Sequence, residues 1–298
     1  MRVFVTGATG FIGSVVVQEL LEAGHQVLGL TRSEVGAKSL VAAGAEVHRG
    51  SLEDLESLRA GAAASDGVIH LAFNHDFSKF VANCEADRQV IEAIGSVLAG
   101  SDRPFIVTSG TGMANTVPGQ PALEENTPVN SSVIPRAASE EAAVSVTARS
   151  VNVAVVRLPQ VHDQVKQGLI TYAIVLAREK GVSAYVGDGL NRWPAAHVLD
   201  TARLYRLALE KQAAGAKYHA VAEEGVPLRD IAEVIGRGLK VPVVSMSPEE
   251  AAVHFGWLAM FAGRDVPASS AQTRERLGWH PTGPGLIADL ERMSYFGS

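Results

Sequence analysis

The chain is 298 residues long, with 47% hydrophobic and 19% charged residues, a formal net charge of −6 and a single cysteine. That length supports one large domain or two coupled ones with a substantial core, and the composition is that of an ordinary soluble globular protein. The acidic balance argues against a nucleic-acid footprint, and no apolar run is long enough to span a bilayer. Cys84 alone excludes a disulfide framework or a cysteine-rich metal site, so no metal is expected.

The first candidate strand, residues 2–6, starts at once, so the amino-terminal segment reads as structure rather than as a removable leader. It runs into Thr6-Gly7-Ala8-Thr9-Gly10-Phe11-Ile12-Gly13, and a helix-like run follows from Ser14. Strand, glycine turn and helix in that order is the context in which such a motif binds a dinucleotide. Gly7 lets the chain reverse, Gly10 lets backbone approach a pyrophosphate, and Gly13 lets the helix pack closely on the sheet. Thr9, Phe11 and Ile12 complete the turn, and the free N–H groups of the helix start face the phosphates.

Further strands are read at 26–31, 45–48, 67–71, 104–108 and 152–158, alternating with helical patterns. The alternation predicts an α/β fold with a doubly wound parallel sheet. Gly24 marks the end of the first helix, and Ser51 with Asp54 reads as an N-cap before residues 52–58. Cys84, in a helical stretch with no activating base beside it, reads as a buried and inert thiol, which fits a reducing, cytoplasmic setting. Residues 115–133 read as a long loop, of a length that is usually functional or mobile. From about residue 163 the pattern loosens around Pro227, Pro242, Pro248, Pro267, Pro281 and Pro284. The expected division is a dinucleotide-binding domain over 1–162 and a smaller, discontinuous substrate-binding part over 163–298, with 190–221 returning to the first.

The second strand ends Thr31-Arg32-Ser33. A carboxylate there grips the unphosphorylated ribose. A hydroxyl and a guanidinium suit a 2′-phosphate instead and select NADP(H), against the competing reading of a merely solvated arginine.

The GxxGxxG spacing and the wording TGATGFIG resemble the short-chain dehydrogenase/reductase superfamily, in its extended, epimerase/dehydratase-like branch. The resemblance implies a Rossmann fold with a smaller C-terminal substrate-binding domain. It sets Ser51 and Leu52 beside the adenine and Leu71, Ala72 and Phe73 along the middle of the cofactor. Thr108 joins them at the end of the fifth strand, and Pro159, Gln160 and Val161 meet the carboxamide. It also implies a homodimer through the helices after the fourth and fifth strands. In that branch a Tyr-x-x-x-Lys pair on a helix, with a Ser or Thr after the fifth strand, hands a proton to the substrate oxygen. Ser109 and Thr111 keep a hydroxyl here, but Arg136 falls in the tyrosine position and Glu140 in the lysine position. No Tyr-x-x-x-Lys occurs in the chain. A positioned acid is worth about 10²–10⁴ in rate, so the loss is large.

His162, expected near the hydride, and His75, on the same rim, are the candidate replacement acids. For each, a structural hydrogen-bonding role competes evenly with catalysis. Arg136 can polarise an oxygen but cannot act as an acid near neutrality, and an ion pair with Glu140 or Glu141 is an equal alternative. The substrate itself can relieve the problem: an iminium ion arrives protonated, and an electron-poor ketone needs less acid help. Asn74, Met113, Trp193, Trp257 and Phe261 are expected to line a pocket for a small hydrophobic substrate. Arg192 is a candidate diphosphate holder, and Asp200 reads as a helix N-cap. Two function classes remain open. One is an NADPH-dependent oxidoreductase acting on a C=N or activated C=O bond; the other is a catalytically silent NADP(H)-binding sensor. Sugar-nucleotide epimerisation, which needs the missing base, stands third.

Overall fold

The structure, a computed structural model, describes residues 1–128 and 130–293. In chain order its strands are β1 Arg2–Thr6, β2 Gln26–Thr31, β3 Glu46–Arg49, β4 Gly67–His70, β5 Ser101–Gly110 and β6 Val151–Leu158. After them come β7 Gln160–His162, β8 Ser183–Val186, β9 Arg192–His197, β10 Lys217–His219, β11 Glu223–Pro227 and β12 Val243–Met246. The first-half helices are α1 Phe11–Glu22, α2 Glu34–Ala43, α3 Leu55–Ala63, α4 Phe80–Leu98 and α5 Ala138–Thr147. Then follow α6 Ile170–Lys180, α7 Val198–Lys211, α8 Leu228–Leu239, α9 Pro248–Phe255, α10 Ala259–Ala262, α11 Ala271–Leu277 and α12 Leu286–Glu291.

Seven strands form one parallel sheet in the order β10-β6-β5-β4-β1-β2-β3. A strand buried on both faces carries apolar residues without alternation, because successive side chains enter different layers. Val3 and Val5 pack into the layer of α1, α2 and α7, with Val16, Leu20, Leu40 and Tyr205. Phe4, between them, enters the layer of α3, α4 and α5, with Leu58, Ile91, Ile94 and Val146. The reversal of winding falls between β1 and β4, which are neighbours in the sheet but far apart in the chain. In such sheets the carboxyl ends of the strands at this point open the ligand crevice.

A second, smaller unit holds the three-stranded sheet β11-β9-β7 and the pair β12-β8, packed with α6, α8 and α12 around Ile174, Trp193, Ile231 and Leu286. Its strands are three to six residues long and lack apolar runs, which is why periodicity does not reveal them. Two expected caps move. Asp54, not Ser51, caps α3, its carboxylate accepting the Ser57 N–H at 3.0 Å. His197, not Asp200, caps α7; Asp200 is buried and accepts the N–H groups of Thr282 and Gly283 at 3.0 and 2.7 Å.

The long segment between β5 and α5 has little regular structure but is tied down. The fully buried Arg157 of β6 grips Glu140 of α5 through two bonds of 2.8 and 2.7 Å and donates to the carbonyl oxygens of Glu124 and Asn126. Glu124 in turn accepts both the N–H and the hydroxyl of Thr273 at 2.8 Å. Buried charge is tolerable only when paired and hydrogen-bonded to this degree.

Candidate functional site

The glycine turn is built by contact. Gly7 has φ near +70°, and a Cβ there would lie 2.8 Å from the Ala72 nitrogen at the end of β4. A Cβ on Gly13 would come within 1.9 Å of the Gly7 carbonyl oxygen. Side chains are therefore excluded where α1 leaves the sheet. Gly10, the N-cap of α1, carries no side-chain cap bond, and Thr9 and Gly10 are exposed with Phe11 and Ile12 half-buried. An open helix start with uncapped N–H donors beside a backbone-only cradle fits the pyrophosphate of a dinucleotide.

At the end of β2, Thr31 is buried, and Ser33 caps α2 by accepting the Gly36 N–H at 3.0 Å. Arg32 is exposed. Across from it, after β3, Glu53 has its pKa lowered by a hydrogen bond from Ser51, by its own backbone and by the charge of Arg32. Arg32 thus shares its surroundings with one carboxylate, and Ser51 and Leu52 stay half-buried beside it.

One polar chain runs from the glycine turn into the place expected for the proton donor. The Thr6 hydroxyl accepts the Ala72 N–H at 3.2 Å and lies 2.7 Å from His70 Nδ1. His70 Nε2 lies 3.0 Å from Asp87 Oδ1. The network assigns the proton to Nε2, so that His70 accepts from Thr6 and donates to the carboxylate. The other oxygen of Asp87 accepts from Arg136 at 2.7 Å and from the Ser139 hydroxyl at 2.5 Å. Burial alone would raise the Asp87 carboxyl, but Arg136 and then His70 outweigh it and hold it well below the usual carboxylate range. Arg136 also donates to Ser139 Oγ and to the Thr108 carbonyl at 3.1 Å, and its guanidinium lies 4.2 Å from the centroid of the Phe73 ring.

Arg136, in the turn before α5, therefore pairs with Asp87 of α4, not with Glu140 or Glu141. Glu140 is taken by Arg157, and Glu141 by Arg88 at 2.6 Å. Strand alternation sends the Thr108 hydroxyl to the α7 side, where it donates to the His70 carbonyl at 2.7 Å and meets the Tyr205 hydroxyl at 2.8 Å. Ser109 faces the opposite way, toward the layer of α4 and α5, and its buried hydroxyl has no partner among the described residues. Thr111 Oγ1 is turned to the Leu158 carbonyl at 3.4 Å.

The candidate acids separate. His75 sits at the outer edge of the β4 loop, edge-on to Phe73 with ring centroids 5.3 Å apart. Partial burial of the ring, then the charges of Arg136 and Lys166, lower its pKa against the opposing pull of the Phe73 backbone and Asp87. His162 does not reach an open site. It is fully enclosed in β7, its Nδ1 is 2.7 Å from Asp289, and its Nε2 has no partner among the described residues. Burial lowers its pKa against the pull of Asp289. A proton donor must touch what it protonates, so the structure gives His162 a place in the smaller unit's core rather than at the rim.

Trp193 is likewise core, buried among Ile170, Ala195, Val226 and Ile231. Arg192 is held by Asp265 through bonds of 3.0 and 2.8 Å. Gln160 and Val161 are also engaged: Gln160 Oε1 accepts the Leu169 N–H at 3.0 Å, Val161 is buried, and Pro159 remains half-buried. Leu71, Ala72 and Phe73 are half-buried at the β4 end, Met113 is half-buried after β5, and Asn74 is exposed.

Trp257 and Phe261 do meet the rim. Phe77, following the β4 loop, stacks on Trp257 at 4.3 Å with planes 10° apart, and Tyr172 of α6 meets Trp257 edge-on at 5.1 Å. Phe261 closes the group 6.1 Å from Phe77. These rings join the sheet's loop to the smaller unit beside Phe73 and Arg136. His70, Asp87, Phe77 and Tyr172 escape a reading of the sequence. Only Asp87 carries a signal there, a charge at a core position between Cys84 and Val90–Ile91 of an amphipathic helix. Burial pushes the Cys84 thiol up to about 11, in keeping with an inert role.

Fold, glycine cradle and strand-end crevice define a nicotinamide-dinucleotide protein of the extended Rossmann type. A family model described as the NAD dependent epimerase/dehydratase family matches residues 3–222, and the chain belongs to that family. An uncharacterized protein of Schizosaccharomyces pombe is 49% identical over 99% of this chain and 100% of its own. An uncharacterized protein of Saccharomyces cerevisiae is 46% identical, over 99% of each chain. The UDP-glucose 4-epimerase of Streptomyces lividans is 28% identical, over 100% of this chain and 96% of its own. Among solved structures, a dTDP-glucose 4,6-dehydratase from Streptomyces venezuelae with NAD bound superposes with a TM-score of 0.79 at 18% identity, covering 99% of this chain and 96% of the other. That likeness is one of fold. Among the described residues no helix is long and apolar enough to cross a membrane.

Proposed function

We propose that the chain is an NADPH-dependent reductase of small hydrophobic substrates with an activated C=O or a C=N bond, working without the tyrosine acid of its relatives. The observation that carries this reading is Arg136, which stands where the tyrosine is expected and is fixed by Asp87, Ser139 and the Thr108 carbonyl. A bound dihydronicotinamide supplies the hydride. Arg136 polarises the substrate's acceptor atom with a donor that keeps its charge. A guanidinium donates hydrogen bonds but is no acid near neutrality, so the final proton comes from solvent.

Of the two bond types, the activated carbonyl fits better. Arg136 brings positive charge toward His75 and the Phe73 ring, which favours a developing oxyanion and opposes an incoming iminium cation. The ring group of Phe77, Trp257, Tyr172 and Phe261 supports an apolar, preferably aromatic, body for the substrate. Arg32 with Thr31 in place of an acid supports the phosphorylated cofactor. The exposed Val81 of α4 and Val144 of α5 support pairing of two copies through those helices.

A panel of activated aryl ketones and cyclic imines, followed by NADPH absorbance, tests the reading. Turnover of the ketones with preference for NADPH over NADH, lost in Arg32→Ala, is expected. Tight NADPH binding with no oxidation by any substrate would favour the silent sensor instead.

A further inference from the structure

The glycine turn lacks a cation of its own. Residues 6–15 contain no charged side chain. The start of a helix provides about half a positive charge, against roughly two negative charges on a dinucleotide's pyrophosphate. Arg32, at the end of β2, belongs to the adenosine side. One cation does reach the turn from elsewhere: Lys166 Nζ lies 5.8 Å from the centroid of the Phe11 ring, the first residue of α1.

We propose that Lys166 is a phosphate clamp, its ammonium closing over the pyrophosphate of the bound nicotinamide dinucleotide. This rests on residues 6–13 being a dinucleotide site and not on the reaction that follows. The backbone presenting the lysine is tightly made. Asp163 Oδ1 accepts the N–H groups of Val165 and Lys166, both at 2.7 Å, and the Asp163 N–H donates to the Lys166 carbonyl at 2.9 Å. The buried Gln167 donates its side-chain N–H to the Asp163 carbonyl at 2.7 Å. A turn with this many bonds fixes the Cα position and leaves the side chain exposed. Among the described residues the ammonium has no ion pair or hydrogen bond; its contacts are the Phe11 ring and its electrostatic influence on His75. An exposed point charge beside the first residue of α1 suits phosphate oxygens, which Lys binds without a set angle.

Calorimetric titration of Lys166→Ala and Lys166→Arg with NADPH, NADH and ADP tests the assignment, since the three ligands share only the adenosine and the pyrophosphate. The alanine variant should bind all three more weakly by a similar factor, roughly tenfold or more, and the arginine variant should recover most of it. Melting temperature should not change, because the side chain is exposed. Unaltered affinities in Lys166→Ala, or a loss confined to NADPH, would overturn the clamp. If the unmodified protein binds none of the three, the clamp and the dinucleotide site fall together. If it binds them but reduces no carbonyl or imine, the clamp stands and the reductase reading falls.

Discussion

Arg136, in the turn before α5, and Asp87 of α4 meet at 2.7 Å, and the contact places a permanent cation 4.2 Å from the Phe73 ring at the carboxyl end of β4. The pair is nearly closed to solvent and is completed by His70 and Ser139. A donor held from behind in this way needs no rearrangement when negative charge develops on a substrate, which is the condition for electrostatic stabilisation of a transition state.

Arg136→Lys is expected to lower kcat by about 10²–10³, the usual effect of losing an aligned donor. Lysine keeps the charge, but it cannot serve Asp87 and the Thr108 carbonyl and also lie flat on Phe73. Arg136→Ala should add a loss of about 3–5 kcal/mol in stability, because Asp87 keeps a buried charge with a histidine as its remaining ionisable partner. Steady-state kinetics and urea unfolding on both variants separate the two effects. Equal kcat in Arg136→Lys and the parent would remove arginine from the chemistry.

Gly13→Ala should weaken dinucleotide binding and lower stability together. The added methyl has to displace either α1 or the Gly7 carbonyl, and overpacking of this kind costs about 1–3 kcal/mol or more. Differential scanning calorimetry with and without NADPH reads both quantities. A variant with the parent's melting temperature and the parent's ligand-induced rise would show that the contact between turn and helix is dispensable.

Stability should fall with acid well before the carboxylates titrate. His219 is buried, accepts from Arg157 at 3.1 Å and bonds the Ser269 carbonyl at 2.8 Å. Burial, then the Arg157 charge, push its pKa down to about 3. In the unfolded chain it titrates near 6.5. Between those values the unfolded state holds the extra proton, so its contribution is complete above pH 6.5 and is lost as pH falls toward 3, at up to about 1.4 kcal/mol per unit. His219→Gln, which can still accept from Arg157, should flatten that part of the profile in denaturant titrations run between pH 7 and pH 4. An unchanged slope would mean that the histidine is protonated in the fold.

Phe77→Ala should raise KM for aryl substrates with a smaller effect on kcat. Phe77 holds its place by stacking on Trp257, a contact worth about 0.5–1.5 kcal/mol, or up to roughly tenfold in an equilibrium. A matched pair of aryl and short alkyl ketones, assayed under the same conditions, checks the point. A KM shift of equal size for both ketones would deny the rings a part in recognition.

Legibility differed between the two units for a physical reason. The main sheet's strands are buried on both faces and the glycine turn is local, so residues 2–31 reveal strand, turn and helix directly. Arg136 was visible as the odd residue in a known place, but its partner comes from 49 positions away. No i, i+4 argument on α5 reaches across to α4. His162 and Trp193 mislead because position along the chain says nothing about which side of β7 or β9 is enclosed, and both sides of those short strands are covered. Lys166 had no sequence signal; its interest lies in where a tight turn carries it.

Thr6, His70, Asp87 and Arg136 form an unbroken relay of polar contacts, and this limits how the chain can change. Exchanging Arg136 alone for tyrosine would strand the Asp87 carboxylate without its main counter-charge, while exchanging Asp87 first would strand the guanidinium. A return to the usual Tyr-x-x-x-Lys arrangement thus crosses at least one poorly folding intermediate, and Glu140 is barred from becoming lysine while Arg157 depends on it. Descendants of this chain are therefore held to their own chemistry by the cost of each single step away from it.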